Sequence, residues 1–153
     1  MPEKDHIKNI AVNRKARHDF EIVQSVEAGI VLTGTEVKAL RQNKLNMSDS
    51  YASISRQGEI WLMNVHIGIY DHGNINNHEP MRERKLLLNR KEIKKLKSKV
   101  EEKGHTLVPL KFYFKNGKVK VELGLAKGKK LYDKREDIKK RDAERELDRK
   151  IKY

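Results

Sequence analysis

The clearest alternation of apolar and polar positions in this 153-residue chain lies between residues 110 and 123. Leu110, Phe112 and Phe114 alternate with Lys111, Tyr113 and Lys115, and after Asn116-Gly117 the apolar positions Val119, Val121 and Leu123 alternate with Lys118 and Lys120. A period of two predicts strands, and Asn-Gly supplies the two positive-φ positions of a tight hairpin turn. One face of this hairpin is a core wall. The other carries Lys111, Tyr113, Lys115, Lys118 and Lys120, a strongly cationic sheet surface.

Elsewhere the pattern is shorter in range. Residues 1–12 carry little periodicity and predict a loose arm, followed by the basic cluster Asn13 to His18. Phe20 to Gln24 reads as a strand and Gly29 to Thr33 as its continuation or partner, with a bend or bulge at Val26 to Gly29. Thr33 and Glu36 have the spacing of a capping box, so a short helix should follow, burying Val37 and Leu40 and fading near Asn43. Residues 50–69 predict two strands about a Gln57-Gly58 turn, and the polar run 71–80 predicts a surface loop. Arg84 to Leu88 is a short apolar run with a basic approach. Asn89 and Glu92 cap a helix that buries Ile93, Leu96 and Val100 and stops at Gly104.

Six or seven short strands with two or three helices predict a mainly β fold, a small antiparallel barrel whose closure removes exposed edges. The oligonucleotide-binding (OB) barrel is the commonest small barrel that grips nucleic acid. A barrel over residues 13–130 leaves 131–153 as a basic tail. From Asp133 to Tyr153 there are 9 basic and 7 acidic residues. Acidic-to-basic pairs four apart, such as Glu136 with Lys140 and Glu146 with Lys150, each support a helix by about 0.2–0.5 kcal/mol. Ile138, Ala143, Leu147 and Ile151 form no regular stripe to dock, so the tail is expected to be disordered alone and helical on a partner. The competing reading is a solvated helix lying on the barrel.

Charge changes the picture. The net charge is +13, which is expected to attract a polyanion, most often nucleic acid. No segment joins a basic face to a broad apolar one, so acidic lipid is the weaker candidate. No apolar run approaches the roughly 20 residues of a membrane span, no secretory signal opens the chain, and cysteine is absent, all of which fit a cytoplasmic protein. Catalytic patterns are missing: there is no phosphate-binding P-loop and no nucleophile elbow. His66, His72 and His78 lack the partners of a metal signature, Ser48-Asp-Ser50 reads as a turn, and Glu27, Glu36 and Asp49 would meet only by accident of folding. Neither an enzyme nor a cofactor is expected.

Five stretches occur together: "NRKARHDFEI" (13–22), "EAGIVLTGTEVKALR" (27–41), "SDSYA" (48–52), "RKLLLNRKEI" (84–93) and "LAKGKKLYDKREDIKKR" (125–141). In this order they resemble the SsrA-binding protein (small protein B) family. The resemblance implies an OB-type barrel and an RNA-binding adaptor of trans-translation. Such an adaptor binds the tRNA-like domain of transfer-messenger RNA (tmRNA, or SsrA RNA). With elongation factor Tu, it helps bring that charged RNA to stalled ribosomes, for peptide tagging and ribosome rescue. It implies RNA contacts at Glu27, Leu87 and Asn89, at Arg14, Lys15, Arg17 and His18, and at Lys38, Lys85 and Lys127. It further implies that the tail enters the empty messenger channel near the decoding centre and folds there. The tail positions so implied are Lys129, Lys130, Tyr132, Asp133, Lys134, Arg135, Lys139, Lys140, Arg141 and Ile151, with Gly128 bending the exit. At position 132 some members have histidine, and either ring can stack on a base. Composition alone reads Leu87 as core and Asn89 as a helix cap. Glu27 repels phosphate, so it either accepts from a base amino group or orients a nearby arginine. Two rival readings are a generic nucleic-acid-binding barrel whose tail only adds charge, and a metal-dependent RNA-processing enzyme.

Overall fold

In the computed structural model residues 6–71 and 77–128 are described. They form nine strands and three helices in the order β1 (Ile7–Val12), α1 (Arg14–Asp19), β2 (Glu21–Ile30), α2 (Gly34–Arg41), β3 (Leu45–Asn46), β4 (Tyr51–Ile54), β5 (Ile60–Met63), β6 (His66–Ile67), β7 (Arg84–Leu87), α3 (Arg90–Lys103), β8 (Thr106–Lys115) and β9 (Lys118–Lys127). Strands β8, β4, β5, β7, β2 and β9 close into a six-stranded antiparallel barrel through the β8–β9 pairing, and β1 adds to β8. Strands β3 and β6 pair separately. This is the expected OB-type barrel with flanking helices.

The hairpin forms as predicted, with Asn116 and Gly117 at φ 51° and 81°. Phe112 pairs with Val121 and Phe114 with Val119. Leu110 departs from expectation. A bulge between Pro109 and Lys111 reverses the alternation, so Leu110 leaves the Phe112 side and packs with Ala16, Val108 and Ala126 under α1. The main core lies inside the barrel, from Ile60, Leu62 and Leu86 to Phe112, Val121 and Leu123.

Other differences have local causes. Ile7–Val12 is a strand where a loose arm was expected. A bulge between Asn9 and Ala11 breaks the alternation that would have marked it. The basic cluster after Asn13 is the helix α1, which buries only Ala16 and so shows no apolar stripe. Strand β2 runs unbroken through Val26 to Gly29, and its bulge lies between Ile22 and Gln24 instead. The Thr33–Glu36 capping box is present, but α2 buries Glu36, Ala39 and Leu40, leaving Val37 half-buried. Helix α3 begins at the Asn89 cap and stops at Gly104, φ 66°, as predicted.

The burial of Glu36 and Arg84, each 0% exposed, is the least expected feature. An ion pair taken out of water is stable only when further hydrogen bonds satisfy both groups. Here Arg84 donates to the Glu36 carboxylate, to Val65 O at 2.8 Å and to Pro80 O at 3.0 Å. Arg82 donates to Glu36 at 2.6 Å, and the Thr33 N–H donates to it at 2.8 Å. Burial alone would raise the Glu36 pKa. Arg82, the Thr33 N–H and Arg84 together outweigh burial and hold it below the usual carboxylate range.

Glu36→Gln leaves Arg84 buried without its counter-charge, so unfolding free energy should fall by about 3–5 kcal/mol in urea titrations. The stabilisation from a lowered carboxylate pKa is present above the unfolded value of about 4.3 and disappears as pH falls through the folded value. The Glu36→Gln protein should therefore lose less stability than the parent on acidification. A loss below about 1 kcal/mol at neutral pH, in the range of an exposed pair, would show that the cluster is not essential.

Candidate nucleic-acid interface

Helix α1 is seated by one buried side chain. The Asn13 Nδ2 donates to Met47 O at 3.0 Å and Pro109 O at 2.9 Å, while its Oδ1 accepts from the Ala16 N–H at 3.1 Å. The cap thus fixes both the start of the helix and its place on β8. Arg14 and His18 point outward. Lys15 pairs with Asp49 at 2.6 Å on one side of the helix. Arg17 reaches Glu122 on β9 at 3.2 Å.

From Glu122 the polar groups continue across the outer face of β8, β9 and β2. The register sets Lys111 and Glu27 opposite Glu122, and Tyr113 and Gly29 opposite Lys120. Directly opposed residues share a sheet face, so these side chains stand together. Tyr113 donates its hydroxyl to Glu27 at 2.5 Å, and Lys115 donates to the same carboxylate at 3.2 Å. The Lys111 ammonium lies 5.1 Å from the Tyr113 ring centre. Tyr113 is consequently only 5% exposed, a packed element of the cationic face. The Tyr113 hydroxyl, then Lys115 and Lys120, keep Glu27 ionised below the usual carboxylate range. Burial and then Glu27 push the Tyr113 hydroxyl far above the usual phenol range, so it remains a donor.

The face reaches β7 through Gly29. Gly29 pairs with Leu87, and a Cβ on Gly29 would lie 3.2 Å from the Leu87 Cβ. Leu87 thus occupies the side of the sheet that Glu27, two residues before Gly29, also occupies. Composition reads Leu87 as core, yet it is 51% exposed. A single exposed leucine is ordinary on a protein surface, so its place beside the cations, and not its exposure alone, makes Leu87 a candidate contact. Asn89 follows and does cap α3, its Oδ1 accepting from the Glu92 N–H at 2.9 Å. Its Nδ2 donates to Glu92 Oε1 at 2.8 Å, and the residue remains exposed.

Arg17 through Glu122, Glu27 and Leu87 therefore share one side of the sheet, and Asn89 follows Leu87 by two residues at the start of α3. Lys85 lies on β7 two residues from Leu87 and pairs with Glu59 at 2.7 Å. Lys127 ends β9 opposite Glu21. Lys38 belongs to another neighbourhood, on α2, with its ammonium 5.5 Å from the Tyr70 ring centre. Of the two roles open to Glu27, orienting an arginine is not what the described residues show: Glu27 holds Tyr113 and Lys115, and Arg17 pairs with Glu122. Lys111, Tyr113, Lys115 and Lys120 join the surface through the hairpin alternation already visible in the sequence. Gly29 had no signal of its own. The tail positions Lys129, Lys130, Tyr132, Asp133, Lys134, Arg135, Lys139, Lys140, Arg141 and Ile151 lie outside the described residues.

Among the described residues no three His, Asp or Glu side chains gather so as to hold a metal ion. Among them, too, no helix is long and apolar enough to cross a membrane.

The family whose sequence model matches is described as SmpB protein, over residues 10–153. The chain is 60% identical over 149 residues to the SsrA-binding protein of Acetivibrio thermocellus, covering 97% of this chain and 96% of that one. It is 57% identical over 143 residues to the SsrA-binding protein of Ligilactobacillus salivarius, covering 94% and 92%. A solved chain from "tmRNA-SmpB: a journey to the center of the bacterial ribosome" superposes with a TM-score of 0.66 at 52% identity, covering 78% of this chain and 83% of that chain. On these matches, with the barrel and its capped helices, the chain belongs to the SsrA-binding protein (SmpB) family.

Proposed function

We propose that this chain is an RNA-binding adaptor of trans-translation that grips the tRNA-like domain of tmRNA with the outer face of β2, β8 and β9. The family is one of RNA-binding adaptors and not of enzymes. The observation that carries the reading is the ladder from Arg17 through Glu122, Lys111, Tyr113 and Lys115 to Glu27, with exposed Leu87 on the same side of the sheet and exposed Asn89 two residues further on. Phosphate contacts supply affinity and position, and base contacts supply discrimination. Lys111, Lys115, Lys120 and the α1 cations Arg14, Lys15 and Arg17 provide the first. Glu27 provides the second by holding Tyr113 and Lys115 in place and offering its remaining acceptor capacity to a base amino group. Leu87 covers an unstacked base or a ribose edge, and Asn89 combines its cap with a contact at the same rim. Such a mixed surface suits the exposed loops of a folded RNA better than a uniform duplex.

In this reading residues 131–153 act elsewhere. They enter the empty messenger channel, order there on ribosomal RNA phosphates, and stand in for the missing codon–anticodon contact. The charged RNA arrives with elongation factor Tu, and the protein works in the cytoplasm without a cofactor. Lys85 and Lys127 add cations at the margins of the grip, Lys38 offers one from α2 outside it, and Lys129, Lys130, Lys134 and Arg135 begin the ribosomal contact.

Deleting residues 131–153 should leave affinity for the isolated tRNA-like domain within about threefold while abolishing peptide tagging on stalled ribosomes, as read by filter binding and an in vitro tagging assay. A tail that only adds charge would lower that affinity in step with the cations removed. Glu27→Gln should weaken the tRNA-like domain by about tenfold with the salt slope unchanged, whereas Lys115→Gln should reduce the slope by about one unit. Equal slope changes in the two variants would refute the division of labour. Asn89→Ser preserves capping, so melting should hardly change while RNA affinity falls severalfold; unchanged affinity would reduce Asn89 to a cap.

A further inference from the structure

At one mouth of the barrel, beside the β8–β9 turn, a cleft of about 500 Å3 is lined by His6, Lys8, Arg41, Phe114, Asn116 and Gly117. Lys8 is opposite Phe114 in the β1–β8 register, so both side chains leave the sheet on the same side. Phe114 is half-buried and packs against the main core. Lys8 therefore emerges on the core-facing side of its strand, where antiparallel sheets ordinarily set apolar residues. Arg41 enters from the last turn of α2. The wall at His6 is fixed, since its N–H donates to Asn116 Oδ1 at 3.0 Å and the Asn116 N–H donates to His6 O at 2.9 Å.

The charges here are one-sided. Among the described residues no carboxylate lines the cleft, and among them neither Lys8 nor Arg41 forms an ion pair. On the outer face, by contrast, Arg17, Lys111 and Lys115 each have a carboxylate within 4 Å. Two cations with no carboxylate partner among the described residues, beside an aromatic ring, fit a ligand that is anionic at one end and flat and π-faced at the other. A lone phosphate would use the cations and leave the ring in water. An apolar peptide would cover the ring and desolvate the cations without compensation. A nucleotide satisfies both, because every base offers a π-face and base–aromatic stacking tolerates sequence. The cleft volume lies within the range of small-ligand sites, and barrel mouths are a usual place for them.

We propose that this cleft holds one unpaired nucleotide of the bound RNA, with the base against Phe114 and its phosphate between Lys8 and Arg41. The inference rests on the RNA-binding function proposed above but concerns a second site. Successive strand residues point to opposite faces, so Phe114 lies across the sheet from Tyr113 and the Glu27 ladder.

The test titrates the isotope-labelled full-length chain with adenosine 5′-monophosphate, ribose 5-phosphate and adenosine, following backbone amide signals. The nucleotide should shift Lys8, Arg41, Phe114 and Gly117, and bind at least tenfold more tightly than either fragment. Phe114→Leu should weaken the nucleotide about tenfold while leaving ribose 5-phosphate unchanged, and Arg41→Gln, at an exposed position that leaves the fold intact, should weaken both. Equal binding of nucleotide and ribose 5-phosphate would reduce the cleft to an anion site and overturn the proposal, as would shifts confined to the outer face. Binding of the tRNA-like domain is measured alongside. If Glu27→Gln weakens it while the cleft variants do not, the second site fails and the adaptor reading stands. If the parent chain does not bind it, the adaptor reading itself fails.

Discussion

The Glu36 carboxylate, wholly out of water, is compensated only because Arg82, Arg84 and the Thr33 N–H all converge on it. The cost of desolvating two charges makes this geometry exacting: each group must keep its partners or be stranded. The cluster ties together the first turn of α2, the end of the 77–83 segment and the start of β7, because Arg84 also binds the carbonyls of Val65 and Pro80. His78, itself buried, bonds Thr35 at 2.9 Å and Ile67 O at 2.8 Å and extends the same knot. Strand β7 then carries Leu87 outward and delivers Asn89 to the start of α3. The position of two proposed RNA contacts thus depends on a charge pair that touches no RNA.

The two acidic centres show how environment divides the work of one residue type. Glu36 is sealed and purely architectural. Glu27 keeps part of its side chain in water, and its carboxylate is saturated on one side by Tyr113 and Lys115. A negative group on a face proposed to meet phosphates has an electrostatic cost, and the arrangement offsets it locally with cations. What it provides is orientation: the tyrosine ring, clasped between Glu27 and Lys111, cannot swing into solvent. A gripping surface whose cations are held by carboxylates loses less side-chain entropy on binding than a set of free lysines.

Legibility from sequence followed the range of the interaction. The Asn116-Gly117 hairpin, the Thr33–Glu36 box and the Asn89 cap with its Gly104 stop are all written within a few residues, and each is present. Strand β1 and helix α1 were hidden because a bulge and a six-residue length erased their periods. Arg84 looked like a basic approach to an apolar run; its partner lies 48 positions away, beyond any local pattern. The cationic hairpin face could be read from alternation alone, whereas the bond from Tyr113 to Glu27 spans 86 positions and required the closed barrel. Leu87 looked like core by composition and was assigned to RNA only through family resemblance. Its exposure overturns the reading from composition and leaves the side chain accessible to a partner.

The central claim is that the outer β2–β8–β9 face, from α1 to the start of α3, is the RNA grip. Hydrogen–deuterium exchange of the full chain with and without the tRNA-like domain tests it most directly. The account predicts added protection over residues 14–18, 25–29, 87–91 and 111–122, with the β4–β5 wall unchanged. Protection concentrated on Tyr51–Ile54 and Ile60–Met63, with the Glu27 ladder exchanging as in the free protein, would contradict it.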